Sequence, residues 1–324
     1  MKKIIMSLLV AVSFCAHAWK PEKPVNVYIG AGPGTTAEVA FRKLADDITK
    51  RTGVTFTYTF KPGPGQVELT NSFLEMPKDG YHLLMPFFGD VFIWSELQYK
   101  DRVKWNVDSF EYVIGLPSDP AVFIAPKDSL VKSPADMVRY LNNPPKNVNF
   151  GTATGTQAIP YHAVMFFGKG DFSKVREIRY KAAKEVLMDV ATGNLDFGII
   201  PAGLIKSAEA TDRVKVVGIT SDSTFKNAPQ YPVMKNEVKE LVFYIYRLVV
   251  LPKGTDPEIV EWFNSNLRKS LEDPEIIKSF ENNFETADSR YLTPSGIKQV
   301  VIKGKQLYQP LAEKATSPIK NESR

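Results

Sequence analysis

The sequence is poor in the side chains that build metal centres, disulfide frameworks and covalent catalysts. Its 324 residues include one cysteine and three histidines, too few for a disulfide framework or a thiolate zinc site. It contains no Gly-x-Ser-x-Gly, His-Glu-x-x-His or Gly-x-x-x-x-Gly-Lys-Ser/Thr motif. We therefore expect no catalytic residue, no metal site and no cofactor, and an enzyme is the weaker class of function.

Long charged blocks and long apolar runs are also missing beyond the first residues. No block of five or six like charges occurs, although the net charge is +5, so we expect no nucleic-acid partner. Nothing after residue 18 approaches the roughly 20 apolar residues that span a bilayer, so we expect no membrane insertion.

Residues 1–18 have the pattern of a secretory signal peptide. Lys2 and Lys3 precede an apolar stretch that runs to Phe14, and the segment ends in Ala16-His17-Ala18. Cleavage after Ala18 would leave a chain without cysteine that begins at Trp19. The alternatives are lipoprotein processing at Cys15 and a buried N-terminal helix. We expect a periplasmic location.

The rest of the chain is long enough for two α/β units. With 44% hydrophobic and 24% charged residues, it has the composition of a globular protein. Strands alternate with helices from Val25 to Met85 and again from Asn147 to Ile219, which indicates mostly parallel sheets flanked by helices. In the second unit the helix after the first strand is predicted over 160–167.

Two extended segments, 112–125 and 243–250, connect these units, and neither is rich in glycine or serine. We interpret them as two strands that cross between lobes. The predicted division is residues 19–116 and 246–324 for lobe I and 117–245 for lobe II. Helices near 257–271, 274–283 and 294–307 each open with proline, as helix starts tolerate.

Each unit places a glycine- and threonine-rich turn between its first strand and first helix. The first is Gly30-Ala31-Gly32-Pro33-Gly34, and the second lies within Gly151–Thr156. The first resembles a dinucleotide fingerprint, but Thr35 replaces the third glycine and no acidic residue follows the second strand. Such turns at helix N-termini also suit a carboxylate, and two of them could hold one between the lobes.

At these residues the chain resembles the Bug family, the periplasmic substrate-binding proteins of tripartite tricarboxylate transporters. Six short motifs carry the likeness, which covers nearly all of residues 24–310. They are Gly34-Thr35-Thr36-Ala37-Glu38-x-x-x-Arg42, Lys61-Pro62-Gly63-Pro64-Gly65, Lys78-Asp79-Gly80-Tyr81-His82-Leu83-Leu84, Arg179-Tyr180-Lys181, Gly193-Asn194-Leu195-Asp196 and Leu251-Pro252-Lys253-Gly254-Thr255.

The resemblance implies a two-lobed type II periplasmic binding fold whose two turns grip one carboxylate, often through water. Glu38 replaces the family's aspartate, and Ile200 stands where some members carry an aspartate beneath the ligand. The residues expected to contact ligand are Ala31, Gly32, Gly34, Thr35, Thr36, Ala37, Phe88, Asp90, Thr154, Gly155, Thr156, Gln157, Ala202 and Arg247. Arg247 either pairs with a second carboxylate of the ligand or is solvated on an edge strand.

The predicted function is an exported, hinged and monomeric receptor that captures a small mono- or dicarboxylate and delivers it to the membrane components of such a transporter. One alternative is a carboxylate sensor for a two-component system. A second is a hydrolase or transferase on the same lobes, which would depend on His82 and His162 for an imidazole.

Overall fold

One mixed sheet of nine strands runs through the molecule. The structure, a computed structural model, describes residues 19–316, so the predicted signal peptide with Cys15 lies outside the described residues. The strands are β1 Val25–Ile29, β2 Phe56–Phe60, β3 His82–Met85, β4 Phe110–Pro126, β5 Val148–Thr152, β6 Val175–Arg179, β7 Phe197–Pro201, β8 Val214–Ile219 and β9 Tyr244–Pro252.

Ten α-helices cover the sheet in the described part of the chain. They are α1 Thr36–Thr52, α2 Val67–Leu74, α3 Ser95–Gln98, α4 Pro134–Asn142, α5 Gly155–Phe167, α6 Ala183–Ala191, α7 Ile205–Ala210, α8 Pro257–Ser270, α9 Pro274–Glu281 and α10 Pro294–Thr316. A π-helical turn, Asp90–Trp94, precedes α3. The three tail helices begin at the predicted prolines, and α10 runs nine residues past its predicted end at 307.

The sheet has a parallel group at each end and two long strands in the middle. The strand order is β2-β1-β3-β9-β4-β7-β5-β6, with β8 also pairing with β4. The pairs β1–β2 and β1–β3 are parallel at one end, and β5–β6 and β5–β7 are parallel at the other. Strands β4 and β9 pair antiparallel to each other. These are the two predicted crossing strands, and the predicted lobe boundaries fall within them.

Three groups of buried side chains form the core. One lies between the first parallel group and helices α1 and α8, around Phe41 and Phe263. Another packs the second parallel group against α6 and α7, around Val186 and Ile205. The largest includes residues from both ends of the sheet and from α10, such as Tyr308. The two ends of the sheet therefore share a continuous apolar interior.

Helix α5 begins five residues earlier than the sequence predicts. The expected start was Pro160, but the helix begins at Gly155 and Pro160 lies inside it. A proline there forgoes one helical hydrogen bond. The segment Thr154–Gln157, expected to be a turn, is therefore the cap and first turn of a helix. Within residues 19–316, no helix is both long and apolar enough to cross a membrane.

Candidate functional site

The turn between β1 and α1 is fixed by the first residues of the helix. Thr35 is the N-cap, and its Oγ1 accepts a hydrogen bond from the Glu38 N–H at 3.3 Å. The Glu38 carboxylate reaches back to accept from the Gly34 N–H at 2.6 Å, and Arg42 Nε donates to its other oxygen at 2.7 Å. Gly34 has φ +85°, which a residue with a side chain rarely adopts. This network orients the start of α1.

The first turn of α1 keeps two backbone donors free. Among the described residues, no hydrogen bond involves the N–H of Thr36 or of Ala37. The first N–H groups of a helix lack partners within the helix and lie at its positive end. The start of α1, a helix of 17 residues, therefore presents two N–H donors that can bind an anion.

The start of α1 faces the turn that follows β7. A Cβ placed on Gly203 would lie 3.5 Å from Thr36 Cγ2 and 3.8 Å from Asp119 Oδ2. The Gly203 N–H donates to Asp119 Oδ2 at 3.1 Å, and the neighbouring Ala202 is fully buried. Residues from the two ends of the sheet and from the crossing strand β4 thus meet at the N-terminus of α1.

The start of α5 has its donors occupied by Asp90. Asp90 Oδ1 accepts from the Gly155 N–H at 3.0 Å, and Oδ2 accepts from the Thr156 N–H and Oγ1, both at 3.3 Å. Burial raises the pKa of Asp90, while these hydrogen bonds and the Arg179 charge oppose the rise. Asp90 follows β3 and α5 follows β5, strands that lie toward opposite ends of the sheet, so this carboxylate caps α5 across the sheet.

Two glycines allow the two backbones to approach at this junction. A Cβ on Gly155 would lie 2.5 Å from Trp94 Cδ1, and a Cβ on Gly89 would lie 2.5 Å from Thr156 Cα. The Gly89 N–H donates to Thr156 Oγ1 at 3.0 Å, and Trp94 Nε1 donates to the Gly155 carbonyl at 2.6 Å. The contact between Gly89–Trp94 and the start of α5 is a packed junction.

A sequence profile decides the family. The profile of the tripartite tricarboxylate transporter family receptor matches residues 40–292, more than three quarters of the chain. The chain belongs to this receptor family. The resemblance drawn from the six motifs is confirmed, and the family consists of receptors rather than enzymes.

Relatives of the receptor agree with this assignment. The UPF0065 protein in the gbd 5' region of Cupriavidus necator is 23% identical over 276 residues, which cover 84% of this chain and 82% of that protein. Among solved structures, MatC (Rpa3494) from Rhodopseudomonas palustris with bound malate has a TM-score of 0.80 and 15% identity, over 90% of this chain and 100% of that chain. The periplasmic binding protein BugD has a TM-score of 0.76 and 19% identity, over 91% and 98%. The predicted two-lobed binding-protein fold is confirmed.

In the receptor's second turn, two residues that were predicted to contact the ligand form hydrogen bonds within the protein instead. Gly155 and Thr156 were expected to donate to a ligand, and they donate instead to Asp90, itself expected to contact ligand. The Gln157 side chain is turned back, since its Oε1 accepts from the Ala153 N–H at 3.1 Å. Thr154, the N-cap of α5, makes no side-chain cap hydrogen bond. Among the residues predicted at the second turn, Thr154 therefore has a side-chain hydroxyl that is available to a ligand.

Phe88 lies in the core rather than on a cleft wall. Its relative exposure is 0%, and its ring packs edge-on against Tyr246 at 5.5 Å between centroids. A Cβ on Gly304 would lie 2.7 Å from Phe88 Cζ, so α10 covers the ring. Contact of Phe88 with a ligand therefore stays a prediction, and the described structure places the ring in the core.

Arg247 is not solvated on an edge strand, which was one of its two expected roles, and its pairing with a ligand carboxylate stays a prediction. It is 3% exposed, and its strand β9 lies between β3 and β4 rather than at an edge. Its Nη2 lies 2.6 Å from Asp119 Oδ1 and 3.1 Å from Glu285 Oε1, and its Nη1 donates to the Pro117 carbonyl. The guanidinium is thus paired with two carboxyl groups of the protein.

Three polar residues near the first turn, Asp119, Glu285 and Gln66, were not predicted from the sequence. Asp119 interrupts an apolar strand, a signal that could have been noticed. Glu285 has no local signal, since only the fold brings it to Arg247. Gln66 follows the predicted Pro-Gly-Pro-Gly turn, and its side chain is buried with no partner for either amide atom.

The two histidines and the surface cavities lie apart from the α1 turn. His82 Nδ1 is 3.2 Å from the Tyr28 hydroxyl, and His162 Nε2 is 3.6 Å from Glu177 Oε2.

Two surface cavities of about 390 and 310 Å³ lie elsewhere. One is beside Glu111 and Lys298, and the other is beside Lys305. No group of three or more His, Cys, Asp or Glu that could hold a metal occurs among residues 19–316.

Proposed function

We propose that the protein is an exported receptor that binds a small organic carboxylate between two lobes and delivers it to a tripartite tricarboxylate-type membrane transporter. The supporting observation is the free first turn of α1, which faces residues of the other half of the sheet. A carboxylate bound there gains charge-assisted hydrogen bonds and the favourable end of the helix dipole. The malate bound to MatC makes malate the first probe.

The proposed binding surface is centred on the first turn. Ala31, Gly32, Gly34 and Thr35 shape it, and Thr36 and Ala37 supply the N–H donors. Thr154 and the turn at Ala202 lie toward the other end of the sheet. In this proposal one lobe consists of residues 19–116 and 246–324, and the other consists of residues 117–245. Because Asp90 already satisfies the start of α5, the ligand carboxylate binds at one helix start rather than between two.

Replacing Thr36 with proline tests the free donor. Thr36 is the first helical residue, and Thr35 before it has φ −70° and ψ 152°, a geometry that accepts a following proline. Thr36→Pro removes the N–H, while Thr36→Val keeps it and removes only the hydroxyl. Loss of a hydrogen bond to a charged group costs about 1.5–3 kcal/mol, so we expect the proline variant to bind roughly 10- to 150-fold more weakly.

The measurement is isothermal titration of ligand-stripped protein with malate and a panel of mono- and dicarboxylates. We expect the valine variant to stay within about threefold of the wild type. Equal affinities of the proline and valine variants would contradict the proposed site. Absence of binding by every carboxylate to the wild type would reject the proposed function.

Export is tested by the mass of the mature protein. The Trp19 backbone nitrogen lies 2.8 Å from Glu258 Oε1, so cleavage after Ala18 would place a new ammonium group beside a carboxylate. We expect the intact mass of periplasmic protein to correspond to a chain that begins at Trp19. A lipid-bearing chain that begins at Cys15 would contradict this and support lipoprotein processing.

A further inference from the structure

Three buried charged side chains form a cluster close to the start of α1. They are Asp119 of β4, Arg247 of β9 and Glu285, and each is at most 4% exposed. The Arg247 Nη2 lies 2.6 Å from Asp119 Oδ1 and 3.1 Å from Glu285 Oε1. We call these three residues the charge cluster. It is neutral when one of its two carboxyl groups is protonated, and it carries one negative charge when both are ionised.

Glu285 is the carboxyl group of the cluster that holds the proton. Asp119 has the shorter contact with the guanidinium, and its Oδ2 also accepts from the Gly203 N–H at 3.1 Å, so both contacts favour its ionised form. Burial raises the pKa of Glu285 to about 7, against the pull of Arg247. The Asp119 charge adds to the rise, and the partly exposed Lys43 of α1 opposes it. The charge cluster therefore changes its net charge near neutral pH.

The charge cluster and the first turn of α1 meet at Gly203. A Cβ on Gly203 would lie 3.5 Å from Thr36 Cγ2 and 3.8 Å from Asp119 Oδ2. The same position is 3.9 Å from the carbonyl oxygen of Asn283, two residues before Glu285. Thr36 is partly exposed and carries one of the two free N–H donors. An anion bound to that donor would lie close to the cluster, with buried protein between them that screens charge weakly.

The net charge of the cluster acts on an anion bound at α1. With both carboxyl groups ionised, the unbalanced negative charge repels the anion, and with Glu285 protonated this repulsion is absent. The other carboxylate at this helix start, Glu38, has its own cation in Arg42 at 2.7 Å. We propose that Glu285 takes up a proton when the receptor binds a carboxylate, so that the receptor binds its ligand more tightly at acidic than at alkaline pH. This inference rests on the proposed carboxylate function.

The first test is the affinity of the ligand-stripped wild type as a function of pH. Isothermal titrations with malate, and with the tightest binder among the mono- and dicarboxylates, are run between pH 6.5 and 8.5. Ordinary carboxyl groups ionise near pH 4, so the charge of the probe stays constant over this range. We expect a Kd about 3- to 15-fold higher at pH 8.5 than at pH 6.5, from the repulsion of two charges about 8 Å apart.

Two variants remove the surplus carboxyl group in different ways. Glu285→Gln is neutral at every pH. Asp119→Asn leaves Arg247 with one carboxyl partner, and the amide oxygen can still accept the N–H of Gly203. We expect the Kd of either variant to change by less than about twofold over the same pH range. Thermal unfolding checks that each variant folds, and Asp119→Asn carries the test if Glu285→Gln does not fold.

The matched control is Glu111→Gln. Glu111 lies near the start of β4 and pairs with Lys253 at 2.9 Å, outside the charge cluster. We expect this variant to keep the pH dependence of the wild type, and loss of that dependence here as well would contradict its assignment to the cluster.

The number of protons taken up is a second readout, and it needs only the wild type. Titrations at pH 7.5 in phosphate and in Tris, two buffers with different ionisation enthalpies, give the protons exchanged per ligand bound. We expect an uptake of about 0.3–0.7 proton, because the ligand raises the affinity for the proton by the same factor as the proton raises the affinity for the ligand. We expect no uptake by Glu285→Gln.

The outcomes separate this inference from the proposed function. Equal affinities at pH 6.5 and 8.5 with no proton uptake would overturn the proton linkage and leave the carboxylate receptor intact. A pH dependence that persists in both cluster variants would also overturn it, because other groups such as His82 or His162 would then be its source. Failure of every acid to bind the wild type would reject the proposed function and this inference with it.

Discussion

At the scale of single residues, the arrangement around Arg247 places one cation between two buried carboxyl groups. Its guanidinium contacts Asp119 and Glu285. Burial raises the pKa of Glu285 to about 7, Arg247 opposes the rise, and the Asp119 charge adds to it. Burial likewise raises the pKa of Asp119, against the pull of Arg247. One arginine neutralises one carboxylate, so the second carboxyl group holds its proton more tightly than in water.

This arrangement predicts a stability that falls as pH rises through neutrality. The pKa of Glu285 is 4.5 in its ordinary state and about 7 in the folded protein. The stabilisation that comes from the raised pKa of Glu285 is complete at pH values below its unfolded-state pKa. It is lost as the pH rises through its folded-state pKa. We expect the free energy of unfolding of wild type, relative to Glu285→Gln, to fall by at most about 3 kcal/mol between pH 5 and 8. Urea unfolding of both proteins measures this, and parallel pH profiles would contradict it.

The environment of Arg247 illustrates what the sequence could not predict at this scale. A shift of one residue in a strand turns every side chain to the other face, so the sequence left two roles open for Arg247. Its partners Asp119 and Glu285 are far away along the chain. By contrast, the Thr35 cap and the contact of Glu38 with the start of α1 join residues that are close together in the chain, so they follow local rules.

At the scale of elements, the alternation of strands and helices was predictable and the start of α5 was not. Residues Thr156–Met165 of α5 are all buried, so the helix has no polar face to give its period of 3.6 residues. Proline is also common in a first turn, which made Pro160 a plausible start. The true first turn, at Gly155–Gln157, is capped by a carboxylate from a different part of the chain.

The cap on α5 predicts a measurable loss when Asp90 is truncated. Asp90→Ala leaves the Gly155 and Thr156 N–H groups without their acceptor, and loss of an N-cap costs about 0.5–2 kcal/mol. We expect the free energy of unfolding to fall by about that amount, and by less for Asp90→Asn, which retains an acceptor. Urea unfolding measures both. Asp101→Ala, at an exposed residue that has no hydrogen bond or ion pair within residues 19–316, is the control, and an equal effect there would contradict the capping role.

At the scale of the whole molecule, the sheet joins two parallel groups through two long strands. Two extended segments between two repeated α/β units predicted the crossing strands, and six motifs predicted the two-lobed binding-protein fold. The structure and similar solved structures agree with both. The division of the chain within β4 and β9 stays a prediction. Which helix start remains open to a ligand was not predictable, because it depends on contacts between the two ends of the sheet.

The most direct test is a crystal structure of the receptor with a carboxylate that it retains through purification or binds in titration. We predict a carboxylate oxygen within about 3 Å of the Thr36 and Ala37 nitrogens, with Asp90 still bound to Gly155 and Thr156. A carboxylate on the start of α5 with Asp90 displaced, or a ligand bound away from α1, would contradict the account.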